Sequence, residues 1–444
     1  MPAGTYLVTF RPFRHDWRLK NAFPALDLPI SQSLPRAISP MDAISLKISS
    51  CLSMPIYNKL YMILDMNASE KSAGAPPLPR LPRLLACARR VPDFRVNRRR
   101  RHVLAEVIFI AVAAGAANFT SFYEMADFGR ARVAWLRENG LELPGGIPSH
   151  DTFRRLLSLL DPAALRRCAE AFREEFRHSL AGDGVAVDGK CQRRACPAGG
   201  RAPCVVSAWA VSARAAVGEA MVPTKTNETA AMPALIRRLP IRGAVVTADA
   251  AGCQREVARA VVEARADYVL ALKGNQGTME EEMGALLGDI AAREPGGHAG
   301  SLDKGHGRIE RRRLWMATDL GWYADRRKWC KLRSAAMVEC ERTAGGATTA
   351  ERRLFISSLL VPPDRMLAYV RGHWGVENSL HWVLDMTFGE DLSRARWRNA
   401  PENLAVLRRI AVGRLMACGD PKMSVRRKAK LAAVSTELLS EVVM

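Results

Sequence analysis

The sequence predicts a mixed α/β fold preceded by a small all-helical domain. Two observations carry this reading. From Val185 to Leu272 short β-branched runs alternate with helix-length segments, and from about Arg95 to Leu180 apolar residues recur at helical spacing. At 444 residues the chain exceeds what one hydrophobic core usually fills, so more than one structural unit is expected. Its 48% hydrophobic and 25% charged residues are those of a globular protein.

Residues 1–88 read as an extension, either disordered or translated from a mis-assigned start. Prolines are scattered there, Met41, Met54, Met62 and Met66 punctuate it, and no helical or strand period persists before Ala73-Gly-Ala-Pro-Pro-Leu-Pro-Arg-Leu-Pro82. Residues 89–181 form the helical domain. It opens with the basic run Arg98–His102 and continues through Val103–Phe128 and Ala131–Asn139. Ser149 or Asp151 caps a helix ending at Leu160, and Asp161-Pro162 starts another that reaches Leu180.

Residues 182–412 hold the α/β core. Strands are expected at Val185–Val187, Val205–Val211, Ala220–Thr224, Ala244–Ala248 and Tyr268–Leu272, with helices at Glu228–Leu239 and Arg255–Ala264. Three early strands followed by helix, strand, helix and strand make an antiparallel meander feeding a parallel portion, which is the element order of a ribonuclease-H-like core. A mostly β insertion at about 277–360 follows, with a helix at Met279–Ala292 and strands at Arg308–Met316, Leu332–Glu341 and Arg353–Leu359. Helices resume at Asp364, and residues 413–444 form a basic helical tail containing Arg426-Arg-Lys-Ala-Lys430.

Lys and Arg number 66 against 45 Asp and Glu, a formal charge of +21, which favours a polyanionic partner. A merely basic structural protein accounts for the charge but not for acids set at strand ends. The longest apolar stretch, Val103–Phe119, is broken by Glu106 and is too short to span a bilayer comfortably, so no membrane role is expected and a cytoplasmic, nucleoid-associated location is. Ten cysteines without a regular framework read as reduced thiols, and the spacing of Cys191, Cys196 and Cys204 fits no familiar zinc motif.

Asp188 in Val185-Ala-Val-Asp-Gly-Lys190 and Asp249 in Val245-Val-Thr-Ala-Asp-Ala250 each follow a β-branched run, so their carboxylates should project from strand ends. Glu377 in His373-Trp-Gly-Val-Glu-Asn378 lies in a helix-like stretch. Three carboxylates suit a two-metal phosphodiester site, because two Mg2+ or Mn2+ ions held about 3.5–4 Å apart stabilise both the attacking and the leaving oxygen. If residues 374–388 are helical, Glu377, His381 and Asp385 share one face, and Asp385 stands as an additional or alternative ligand.

Around these acids lie Lys225-Thr-Asn-Glu228, Thr247-Ala-Asp-Ala-Ala-Gly-Cys-Gln254, Asp267-Tyr-Val-Leu-Ala-Leu-Lys-Gly-Asn-Gln276, Gly305-His-Gly-Arg-Ile-Glu310 and His373-Trp-Gly-Val-Glu-Asn-Ser-Leu-His-Trp-Val-Leu-Asp385. Together with Pro148-Ser-His-Asp-Thr-Phe153 they resemble the DDE insertion-sequence transposases, in the branch of the H-repeat-associated proteins, from about residue 90 onward. The resemblance implies a ribonuclease-H-like catalytic domain, an associated N-terminal helical domain and a Mg2+-dependent triad of Asp188, Asp249 and Glu377. It also implies an enzyme that cleaves insertion-sequence ends and joins their 3′ ends to a target. A pattern common in the wider group puts Arg four residues before the Glu and Lys seven after it. Here those positions hold His373 and Leu384, so Arg371 and His373 are the substitutes.

Lys190, Lys225, Lys273, Asn275 and Gln276 follow expected strand ends, within reach of a phosphate backbone or an unpaired base, although solvated loop residues explain each singly. His306 and Arg308 open the first inserted strand, where alternation puts Arg308 and Glu310 on one face as a DNA contact or a salt bridge. Trp374 is a candidate to stack on a displaced base, and Trp382 reads as core. The expected partner is double-stranded DNA, as terminal repeats and target, bound by a homo-oligomer, a dimer when two ends are synapsed. The competing readings are a catalytically silent DNA-binding descendant and a nuclease that cuts without joining.

Overall fold

In this computed structural model the described residues are 81–96, 98, 100–174, 179–196, 202–222, 228–305 and 307–444. Residues 1–80, Lys225 and His306, each given a role or character from sequence, lie outside them.

The Val-Ala-Val run makes the central strand, β1 (Gly184–Cys191). Val185 and Val187 point into one core while Ala186 points into another, so the strand is buried on both faces and its apolar run is nearly continuous. It pairs antiparallel with β2 (Cys204–Ala210), which pairs with β3 (Ala215–Val222), giving the expected meander. On its other edge β1 runs parallel to β4 (Val245–Ala248), and β4 runs parallel to β5 (Asp267–Leu272). Parallel neighbours need crossovers, supplied here by α7 (Glu228–Arg238) and α8 (Arg255–Glu263), whose Leu235, Ile236, Val257 and Val261 are fully buried.

The segment expected to be an insertion continues the same sheet. After α9 (Gly277–Arg293) come β6 (Ala299–Gly305), β7 (Arg308–Ala317), β8 (Ser334–Ala344) and β9 (Ala347–Ser357). β9 pairs antiparallel with β5, Leu270 facing Ile356, so nine strands form one sheet in the order β3-β2-β1-β4-β5-β9-β8-β7-β6. The sequence pattern predicts the strands β7, β8 and β9 but not β6.

The helical layer starts with α1 (Arg83–Ala88) and α2 (Leu104–Ala116). Every residue of α2 is buried, as befits a helix that is apolar all round. Its one acid, Glu106, accepts from the backbone N–H groups of Glu142 and Leu143 at 2.7 and 3.1 Å, fastening a turn where Leu143 has φ of 50°. The sequence runs on helically past residue 117, but the chain breaks there. Asn118 takes a φ of 65°, and Ser121 with Glu124 forms a capping box that starts α3 (Phe122–Ala131). Then follow α4 (Val133–Glu138), α5 (His150–Leu159), capped by Ser149 as expected, and α6 (Pro162–Glu174), where Asp161 accepts from Ala163 and Ala164.

Downstream of the sheet, α10 (Pro363–Gly375) passes through a π-helical segment (Val376–His381) into α11 (Trp382–Met386). α12 (Ala400–Ala417) then packs on α2, α5 and α6, so the expected boundary at residue 412 falls inside a core helix. α13 (Val425–Val434) and α14 (Thr436–Val443) close on the same core, with Leu439, Val442 and Val443 fully buried. Leu439→Ala should therefore cost about 2–5 kcal/mol in denaturant unfolding. A loss under 0.5 kcal/mol would mean that α14 is a dispensable tail.

Candidate active site

The parallel register of β1 and β4 sets the site. Val187 faces Ala248, so the next residues, Asp188 and Asp249, emerge side by side. Asp188, 17% exposed, accepts at Oδ1 from the N–H of Gly189 at 2.8 Å. Asp249 caps the short turn Ala250–Gly252, accepting from Gly252 at 3.1 Å. That turn is held from the segment just after β5: Asn275 Nδ2 donates to Ala250 O at 2.8 Å and Gln276 Nε2 to Cys253 O at 3.1 Å. Both side chains were expected to meet DNA, and here they brace the loop that carries Asp249. Lys273, just before them, is exposed.

The Asp188-Gly-Lys190 motif follows from strand alternation. Asp188 and Lys190 share a face, while Gly189 opens on the buried carboxylate of Glu228. A Cβ at Gly189 would sit 2.3 Å from that carboxyl carbon, so any larger residue there would have to push the Glu228 carboxylate aside. Lys190 was expected to face DNA, but it is 8% exposed and its Nζ meets Asp385 at 2.8 Å and Asp391 at 2.9 Å. Glu390, fully buried, lies 3.9 Å from the same Nζ and 2.7 Å from Nη1 of the equally buried Arg409. Arg409 also donates to Ser207 of β2, the register partner of Asp188. Burial alone would raise the Glu390 pKa, but Arg409, Arg408 and Lys190 outweigh it and hold the carboxyl below its ordinary value.

The helix opposite carries the remaining residues. His373 bonds through Nδ1 to Thr247 Oγ1 on β4 at 2.9 Å. Removal from water lowers its pKa, opposed by nearby Asp249, so the ring is neutral near pH 7. The π-helical turn, closed by the Trp382 N–H on Glu377 O, then shifts the faces. His381 Nδ1 lies 3.5 Å from Asp188 Oδ2 and Asp385 meets Lys190, so these two face β1. Glu377 instead lines a cavity of about 510 Å³ with Trp374, Arg308, Arg312, Arg342 and Arg353. The three residues expected on one face are thus divided by the wider turn.

Trp374 has the guanidiniums of Arg353 and Arg312 at 5.1 and 5.5 Å from its ring, a cation–π arrangement in place of an open stacking platform. Arg308 pairs with Glu310 at 3.0 Å, the salt-bridge alternative, and Arg371 pairs with Asp303 at 2.9 Å. Trp382, read as core, is 57% exposed. Cys191 and Cys204, read as reduced thiols, are register partners of β1 and β2 and are disulfide-bonded. With Glu228 they form the one group among the described residues whose potential ligand atoms all lie within 4.8 Å; Asp188, Asp249 and Glu377 are not drawn together that tightly.

Residues 183–412 match the family model described as Transposase DDE domain, and residues 85–173 match the one described as DDE_Tnp_1-associated. The chain belongs to the DDE transposase family. It is 31% identical over 362 residues to a putative transposase, YncI, of Escherichia coli O157:H7, covering 79% of this chain and 92% of the relative. The H repeat-associated putative transposase YhhI of Escherichia coli K12 is 30% identical over 364 residues, 79% of this chain and 95% of the relative. An uncharacterized protein from the dhlA 3′ region of Xanthobacter autotrophicus is 38% identical over 279 residues, 62% of this chain and 93% of its own length. These matches support a transposase function, with nucleic acid as partner. Among the described residues no helix is long and apolar enough to cross a membrane.

Lys190→Met should destabilise by about 3–5 kcal/mol, because it leaves Glu390 and Asp391 short of a buried cation. Thermal unfolding unchanged within 0.5 kcal/mol would remove the network from the stability of the site. Because the folded Glu390 pKa lies below its unfolded value, its contribution is complete above about pH 4.5 and is lost as pH falls through the lower folded value. Glu390→Gln should flatten that acid limb of a stability–pH curve, and an unchanged limb would show that Glu390 does not produce it.

Proposed function

We propose that this transposase cuts phosphodiester bonds at insertion-sequence ends and joins the freed 3′ ends to target DNA at a site built on Asp188, Asp249 and Glu377. The observation that carries the reading is the parallel register that brings Asp188, inside β1, out beside Asp249 at the end of β4. The strand order 3-2-1-4-5 with helical crossovers supports a ribonuclease-H-like core, preceded by an associated helical domain.

The carboxylate oxygens fit Mg2+ or Mn2+, hard ions that prefer oxygen donors. Asp188 and Asp249 would hold two such ions, with Glu377 as third ligand and Asp385 as the alternative. When bound, a pair of ions stabilises charge on the attacking and the leaving oxygen. The chain's own side chains orient this set. Pairing on both edges of β1 fixes Asp188, Asn275 and Gln276 brace the Asp249 turn, and neutral His373 ties the Glu377 helix to β4. Exposed Lys273 and Arg342 are the residues offered to DNA phosphates, with Arg371 and Arg308 available on exchange of their acidic partners. Joining requires two ends at once, so a homodimer acting at the nucleoid is the assembly this reading calls for.

Asp188→Ala should lower Mg2+-dependent cleavage and joining of a labelled terminal repeat by more than about a hundredfold while binding of the same DNA holds. Unchanged cleavage would take Asp188 out of the mechanism. Cleavage without joining in the wild type would make the protein a nuclease, and binding with neither would make it a silent descendant. Glu377→Gln and Asp385→Asn, compared at equal folded fraction, decide the third ligand. The variant that loses cleavage names it. Affinity for the ends should also fall steeply with salt, by roughly tenfold or more between 50 and 200 mM.

A further inference from the structure

Strand alternation gives β1 two faces. Asp188 and Lys190 share one, and Gly189 and Cys191 share the other, where the first residue of α7, Glu228, packs its carboxylate against Gly189. Cys204 opens β2 as the register partner of Cys191, so both sulfurs come to this second face. The two Sγ atoms and a Glu228 carboxylate oxygen all lie within 4.8 Å of one another. The end of β1, the start of β2 and the start of α7 thus meet at one point, behind the face that carries Asp188.

The surroundings suit a cation. Cys204 is fully buried and Glu228 is 4% exposed, while Cys191 is half-buried, so solvent reaches the group from that side. A disulfide offers a neighbouring buried carboxylate neither a proton nor a charge. A divalent ion held between two thiolates and that carboxylate offsets the charge of all three. Tetrahedral zinc, with bonds of about 2.3 Å to sulfur and about 2.0–2.2 Å to oxygen, sets its ligand atoms roughly 3.5–3.8 Å apart. That spacing fits within the 4.8 Å group once the sulfurs part. Two sulfur donors favour the softer Zn2+ over Mg2+, which takes oxygen.

We propose that the reduced Cys191 and Cys204 thiols and Glu228 form a zinc site, with water in the fourth position, that clamps the start of α7 to the paired ends of β1 and β2. Two equivalents of a thiol reductant open the S–S bond, leaving two thiols and the disulfide of the reductant. Zn2+ then displaces both thiol protons, and the two thiolates and the carboxylate become its ligands. The disulfide is the metal-free, oxidised form of the same group.

The probe is Co2+, added to the full chain after reduction by a phosphine, which takes an oxygen from water as it is oxidised. One equivalent should give the ultraviolet sulfur-to-cobalt charge-transfer band and the intense visible bands of tetrahedral Co2+, and Zn2+ should remove both. Oxygen ligands such as Asp188, Asp249 and Glu377 give no such charge-transfer band. The disulfide form, verified by thiol blocking and mass spectrometry, should give none either, although other cysteines of the chain remain thiols. Cys191→Ser, at the less buried of the two positions, should lose the band. Glu228→Gln should weaken Co2+ binding at least as much as loss of an outer-shell partner does, roughly 10–100-fold.

A reduced wild type without the band, an equal band from the disulfide form or from Cys191→Ser, full affinity in Glu228→Gln, or a disulfide that resists reduction in the folded chain overturns the proposal. Should a variant not fold, the comparison of reduced with oxidised wild type decides. DNA cleavage is not part of the readout, so failure here leaves the proposed function standing.

Discussion

The buried ion network around Lys190 fixes the candidate site. Glu390 and Arg409 are both wholly removed from water, and neither is tolerable there alone. Their partners come from four places in the chain: Lys190 on β1, Ser207 on β2, Glu390 and Asp391 after α11, and Arg409 on α12. Satisfying all of them together ties β1 and β2 to α12 and to the chain after α11, so the network holds the Glu377 helix against the strand that carries Asp188.

Within that register the π-helical segment decides what each side chain meets. A plain α-helix would present Glu377, His381 and Asp385 on one stripe. The wider turn keeps His381 and Asp385 on β1 and turns Glu377 toward the arginines of β7, β8 and β9. Those strands do not form a separate lobe. Because β9 hydrogen-bonds to β5, the arginine-lined wall belongs to the same sheet as both aspartates. Arg353, whose charge is reinforced first by Glu351 and also by Glu377, links the third acid to that wall.

What could be read from sequence was local. β1 and β4 announce themselves by β-branched residues, Ser149 and Asp161 by their capping chemistry, and Asp188 and Asp249 by following those β-branched runs, although β1 continues through Asp188 to Cys191 because β2 pairs with it that far. β6 was missed because Ala299-Gly-Ser-Leu-Asp-Lys-Gly305 contains no β-branched residue; pairing with β7 alone makes it a strand. Lys190, Asn275 and Gln276 looked like DNA contacts because polar residues after strands usually face solvent. Their partners lie far away in sequence, where spacing carries no information. The Cys191–Cys204 bond is a matter of cross-strand register, which spacing along the chain does not display.

α12 ties these parts together. Adjacent residues on it serve different places: Arg409 closes the ion network behind Asp188, and Arg408 lines a cavity against the helical layer. The same helix packs its apolar residues on α2, whose surface is entirely buried. A rotation of α12 that moved Arg408 would have to carry Arg409 with it and strip Glu390 of its cation. The wall of the cavity and the placement of β1 against the Glu377 helix are therefore both set by one rigid element.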